Sequence, residues 1–103
     1  MAIELVFFML LYAITSRTLL AESEAERTEK LIALAADWAA NGIDFIQIRE
    51  SDLCRADLTR LAGEVVRAVG QRSKSTKILI NVSPEIATAI ALESGADGVH
   101  LDL

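Results

Sequence analysis

One cysteine in 103 residues cannot close an intramolecular disulfide, so the chain is not a small scaffold stapled by disulfides. Cys54 and the single His100 together also fall short of the three or four Cys and His ligands that a zinc site of that kind takes. Such sparing use of cysteine suits a reducing compartment, and a cytoplasmic location is expected. Cations are in the minority: 10 Lys and Arg stand against 15 Asp and Glu, a formal charge of −5. A chain that works by gripping nucleic acid needs clustered cations for the phosphates, so no nucleic-acid partner is expected, although one local anion pocket stays compatible with the balance. The uncharged run over residues 5–14 is too short for a membrane span, which takes roughly 18–20 apolar residues. A secretory signal wants positive charge ahead of its apolar run, and here only Glu4 precedes it, the first basic side chain being Arg17. No membrane partner is expected either. Internal repeats, low-complexity stretches and interdomain linkers are also missing, as are the G-x-G-x-x-G and G-x-x-x-x-G-K-[ST] phosphate loops.

What is present is an alternation. With 52 % hydrophobic and 24 % charged residues the chain is ordinary for a globular domain, and its length suits a single core. Residues 7–14 are rich in aromatic and aliphatic side chains, which predicts a strand covered on both faces, as in a parallel sheet. Leu31, Leu34, Ala35, Trp38 and Ala39 recur at helical spacing, with Glu22, Glu24 and Glu26 near the start and Asn41-Gly42 as the stop. Residues 43–49 read as a second strand. Leu58, Leu61, Ala62, Val65, Val66 and Val69 repeat the helical spacing before Gly70, and residues 71–77 read as a surface loop. Residues 77–81 read as strand three. Ser83-Pro84 reads as a helix start with a serine cap, Ile86, Ala87, Ile90 and Ala91 form its buried face, and Gly95 ends it. Residues 97–101 make a fourth strand. The order β-α-β-α-β-α-β implies a parallel sheet. Two architectures accommodate it: an open doubly wound sheet, or the first half of a (βα)8 barrel, which takes about 250 residues when whole.

In parallel α/β proteins ligands bind where the strands end, and the polar residues collect there. Strand one runs into Thr15, Ser16 and Arg17; strand two carries Gln47, Arg49 and Glu50; strand three ends in Asn81; strand four ends in His100 and Asp102. Gln47 and Arg49 are two residues apart and so share one side of the sheet, opposite Ile46 and Ile48. The planar fork of an arginine suits phosphate or carboxylate, which makes an anion site one reading. An internal ion pair of Arg49 with Glu50 or Asp52 is the other. Asn81 reads as a site residue or as a turn former before Ser-Pro. His100 reads as an acid–base group, a ligand or a satisfied structural residue. Cys54 has no histidine nearby in sequence and follows Asp52, which speaks against a nucleophile.

Four segments stand in a familiar order: Tyr12-Ala13-Ile14-Thr15-Ser16-Arg17, Ile46-Gln47-Ile48-Arg49-Glu50-Ser51-Asp52-Leu53, Leu79-Ile80-Asn81, and Gly95-Ala96-Asp97-Gly98-Val99-His100-Leu101. Together they resemble the thiamine-phosphate synthase family, whose pattern is close to Y-x-I-T-D-R, I-Q-L-R-E-K-D-L, L-I-N-D and G-A-D-G-V-H-L-G-Q. TenI-type thiazole tautomerases share much of it. The resemblance implies a TIM (β/α)8 barrel, of which residues 1–103 form a single parallel (βα)3β half-barrel domain without its C-terminal half. It implies a transferase of thiamine biosynthesis that joins hydroxymethylpyrimidine diphosphate to thiazole phosphate and releases pyrophosphate with Mg²⁺. It assigns Gln47, Arg49 and Asn81 to the pyrimidine diphosphate and leaves Thr15, Arg17 and His100 as further site-lining residues; the catalytic residues are unassigned. The departures are Ser16 for Asp, Ser51 for a diphosphate-binding Lys, Val82 for a metal-binding Asp, and Asp102-Leu103 for Gly-Gln. The family's second metal carboxylate and its thiazole-phosphate strands fall beyond Leu103. A metal-independent thiazole tautomerase and a non-catalytic half-barrel that binds phosphate or assembles with another half are the alternatives. Open sheet edges predict self-association.

Overall fold

A computed structural model describes residues 10–101. Four strands, β1 (Tyr12–Ile14), β2 (Phe45–Ile48), β3 (Lys77–Ile80) and β4 (Gly98–Val99), alternate with three helices, α1 (Glu24–Ala40), α2 (Arg55–Gly70) and α3 (Pro84–Ser94). The strands form one sheet in the order β1-β2-β3-β4, every neighbour parallel. Because spatial order follows chain order, the helices gather on one face of the sheet.

Strand alternation sorts the two faces. Ile46 and Ile48 of β2 and Ile78 and Ile80 of β3 are buried against Leu31 and Ala35 of α1, Leu58, Ala62 and Val65 of α2, and Ala87 and Ile90 of α3. The other face carries Tyr12, Ile14, Phe45, Gln47 and Leu79, which the register Tyr12↔Phe45, Ile14↔Gln47, Gln47↔Leu79 places side by side. The rings of Tyr12 and Phe45 stack at 5.6 Å, yet Tyr12 and Ile14 remain exposed. The first strand therefore differs from the sequence expectation: its described part is three residues long and covered on the helix side only. The expectation for residues 7–9 lies outside the described residues, as does that for Asp102 and Leu103.

Local chemistry explains the element ends. Ser23 caps α1, its hydroxyl accepting from the Glu26 N–H at 3.3 Å, while Glu24 and Glu26 sit in the first turn where the helix dipole favours carboxylates. Gly42 (φ 89°) and Gly95 (φ 82°) end α1 and α3 in the left-handed conformation that side chains disfavour. Gly70 differs from expectation, being the last residue of α2 instead of a stop beyond it. Ser83 precedes α3, but its hydroxyl turns to the Glu85 carboxylate at 3.2 Å and caps no backbone N–H. Two aspartates tie strand starts together: Asp44 Oδ2 accepts from the Leu11 N–H at 2.8 Å, and Asp97 Oδ2 from the Ile78 N–H at 2.8 Å.

No helix of the described residues is long and apolar enough to cross a membrane. The core assignment predicts that Ile48→Ala costs about 2–5 kcal/mol in a denaturant titration, because it leaves a cavity in the fully buried core. Leu92→Ala, on the outer face of α3, should stay within about 0.5 kcal/mol.

Candidate functional site

Past the last rungs of the ladder the chain becomes polar, and the two faces part company. On the open face the Asn81 amide N–H donates to Gln47 Oε1 at 2.6 Å, and Gln47 Nε2 donates to the Tyr12 hydroxyl at 2.8 Å. These bonds link residues of β1 and β2 to the end of β3, so the buried amides of Gln47 and Asn81 are hydrogen-bonded and their desolvation is compensated. Beside it lies a cavity of about 310 Å³ lined by Arg49, Ser51, Asn81, Val82, Ser83 and Pro84. It opens at the carboxyl ends of β2 and β3 and at the start of α3. Arg49 is exposed and forms no ion pair with any described residue.

The carboxylates that the sequence offered to Arg49 belong instead to Arg17. Glu50 is buried on the helix side and Asp52 lies in the loop that follows, and both point at the Arg17 guanidinium. Arg17 is 2 % exposed, and each of its five N–H groups has an acceptor: Nε and Nη2 on Glu24, Nη1 on Glu50 and Asp52, Nη2 also on Asp52. Its backbone N–H adds a bond to Glu50 Oε1 at 3.0 Å. The Thr15 hydroxyl donates to the other Glu50 oxygen and accepts from the Arg49 backbone N–H at 3.1 Å. Hydrogen bonds from Arg17 hold Glu24 and Asp52 below the ordinary carboxylate range, and bonds to Asp52 and Glu24 push the guanidinium pKa up.

Of the residues expected at a site, Gln47, Arg49 and Asn81 converge on the open face. Thr15 and Arg17 do not: both are buried past the end of β1, where they bond the Glu50 carboxylate. His100 is half-buried one residue past β4, with its backbone N–H on the Ile80 carbonyl at 2.9 Å. Cys54 is exposed at the start of α2, away from the cavity lining. The Tyr12 hydroxyl was missed by sequence reasoning, as its place diagonal to Gln47, two residues before Gln47's register partner Ile14, follows only from the β1–β2 register.

The family model described as TMP-TENI, thiamine monophosphate synthase, matches residues 11–102, which covers this whole arrangement. The chain belongs to the thiamine monophosphate synthase family. It is 37 % identical over 73 residues to a protein of Corynebacterium jeikeium (strain K411) named thiamine-phosphate synthase, across 71 % of this chain and 34 % of that protein. It is 40 % identical over 91 residues to a protein of Aquifex aeolicus (strain VF5) named as a provisional second thiamine-phosphate synthase, across 88 % of this chain and 42 % of the relative. The chain thus spans well under half the length of these relatives. A solved structure from Pyrococcus furiosus, titled thiamine phosphate pyrophosphorylase, superposes with a TM-score of 0.66 at 20 % identity. The match covers 89 % of this chain and 38 % of that one, and shows that the fold is shared.

The Arg17 cluster has a pH signature. Glu24 and Asp52 titrate lower in the folded chain than in the unfolded chain, so the unfolded chain binds more protons once the pH enters the carboxylate range. The stability they contribute is complete above about pH 5 and is lost as the pH falls through the range between their unfolded and folded pKa values. Denaturant midpoints measured from about pH 6 down to about pH 3 should fall for the wild type and fall less steeply for Arg17→Met. At about pH 7 Arg17→Met should itself lose about 3–5 kcal/mol, since it leaves the buried Glu50 carboxylate without its cation.

Proposed function

We propose that this chain carries the diphosphate-binding part of a thiamine-phosphate synthase site, in the cytoplasm, for the reaction that joins hydroxymethylpyrimidine diphosphate to thiazole phosphate. The observation that carries this reading is Arg49. It is the cation on a cavity at the strand ends, its internal partners are taken by Arg17, and Asn81 lines the same cavity. A guanidinium placed this way can take two oxygens of a diphosphate in parallel. When the bond from the pyrimidine methylene carbon to the diphosphate oxygen breaks, negative charge gathers on the departing pyrophosphate. A cation already in position stabilises that charge without reorganising. Asn81, which lines the cavity beside Arg49, offers its remaining amide hydrogen-bonding capacity to the same ligand.

The family's Mg²⁺ does not fit the residues present. Among the described residues no group of three or more His, Cys, Asp or Glu is placed to hold a metal ion. The position after Asn81 is Val82, which has no oxygen to offer, and the nearby Glu50 and Asp52 are bonded to Arg17. No step is therefore assigned to a metal in this chain. That same donor set favours a second reading, a metal-independent thiazole tautomerase. If synthase chemistry depends on the missing donors, Ser51→Lys with Val82→Asp should raise pyrophosphate release from the two substrates in Mg²⁺. An isomerase activity unchanged by EDTA would establish the second reading. Binding or assembly without turnover marks the third, a non-catalytic module.

Calorimetric titration of pyrophosphate into the 103-residue chain should give saturable binding that Arg49→Ala weakens about 10- to 150-fold, the scale of a charged hydrogen bond. Binding unaffected by the substitution would remove Arg49 from the site. The exposed face bearing Tyr12 and Ile14, with β1 and β4 as open edges, leads us also to propose that the chain self-associates. Sedimentation should then show a concentration-dependent dimer; a lone monomer at all concentrations would refute it.

A further inference from the structure

We propose that Thr15, Glu50 and Arg17 act as a positioning relay for Arg49, setting where its guanidinium stands in the cavity. The inference rests on the reading of Arg49 as the anion-binding cation. None of the three lines the cavity. Their connection to it runs through one backbone group. The β1–β2 ladder ends with the Thr15 N–H on the Gln47 carbonyl, and two residues after Gln47, just past the end of β2, comes the N–H of Arg49. It is received by the Thr15 hydroxyl at 3.1 Å, at the point where the two strands stop pairing. The hydroxyl's own hydrogen goes to Glu50 Oε2, and Glu50 Oε1 takes the Arg17 backbone N–H and Nη1. Arg17 is in turn locked by Glu24 and Asp52, so no member can rotate away without losing a bond in a buried setting.

The consequence lies in what this leaves unconstrained. The Arg49 side chain has no ion pair with any described residue, and a long exposed side chain samples many rotamers. Its starting vector is set by the backbone at residue 49, which the relay anchors from the helix side. Residues 50 and 52, on either side of the cavity-lining Ser51, are bound to the same guanidinium, so the loop that carries Ser51 is held by the same anchor.

The test compares pyrophosphate affinity and denaturant midpoint for wild type, Thr15→Val, Thr15→Ser and Arg49→Ala. Valine keeps the shape of threonine and removes the hydroxyl; serine keeps the hydroxyl. We expect Thr15→Val to weaken pyrophosphate binding about 3- to 30-fold under conditions where it is folded, and Thr15→Ser to restore most of the affinity. Unchanged affinity in Thr15→Val alongside a loss in Arg49→Ala overturns the relay and leaves the anion reading standing. No binding by the wild type, or no effect of Arg49→Ala, overturns both. Should Thr15→Val not fold, amide exchange on the wild type decides. Pyrophosphate should then protect the Arg49 N–H by more than it protects amides in the middle of α1, and equal or absent protection overturns the relay.

Discussion

A single buried guanidinium organises the carboxyl end of this sheet. Placing Arg17 inside the protein is unfavourable unless every donor finds an acceptor and the charge is matched, and both conditions are met by Glu24, Glu50 and Asp52. The three carboxylates come from the start of α1 and from the loop between β2 and α2. The pairing therefore joins the segment after β1 to the segment after β2 at the level where the backbone ladder has already stopped. Without such a tie, two loops leaving parallel strands would have little to hold them in register.

This constraint separates two arginines that look alike in sequence. Arg17 and Arg49 both follow a strand and both have acidic residues close by. Side-chain alternation sends Thr15 and Glu50 toward the helices, where Arg17 meets them. Arg49 leaves on the opposite side with Gln47 and Asn81 and meets the cavity. One cation is consumed by the fold, and the other is left without an ion pair among the described residues, which is the basis of its proposed ligand role. The same division turns the acidic groups near the strand ends toward Arg17 and leaves the cavity lined by hydroxyl, amide, apolar and guanidinium groups.

Much of the architecture could be read from the letters. The helical stripe of Leu31, Ala35 and Ala39, the stripe of Leu58, Ala62, Val65 and Val69, and the left-handed stops at Gly42 and Gly95 are local features with local causes, and all of them appear in the structure. The inward run Ile46, Ile48, Ile78, Ile80 follows from alternation once two strands are recognised. Less legible were features that depend on two distant segments meeting. Nothing near Ser83 reveals that its hydroxyl prefers Glu85 to a backbone N–H. Nothing near Asp97 reveals that it will accept from Ile78.

Periodicity, turn residues and the order of the four motifs were enough to establish a parallel α/β chain of the thiamine monophosphate synthase family, because each is written within a few consecutive residues. The partners of Arg17, Arg49, Gln47 and Tyr12 were not, because all but Glu24, which is seven positions from Arg17, lie 33–35 positions away along the chain. Register between β1 and β2 is a property of the assembled sheet, and a slip of one residue would exchange the two faces and with them the roles of the two arginines.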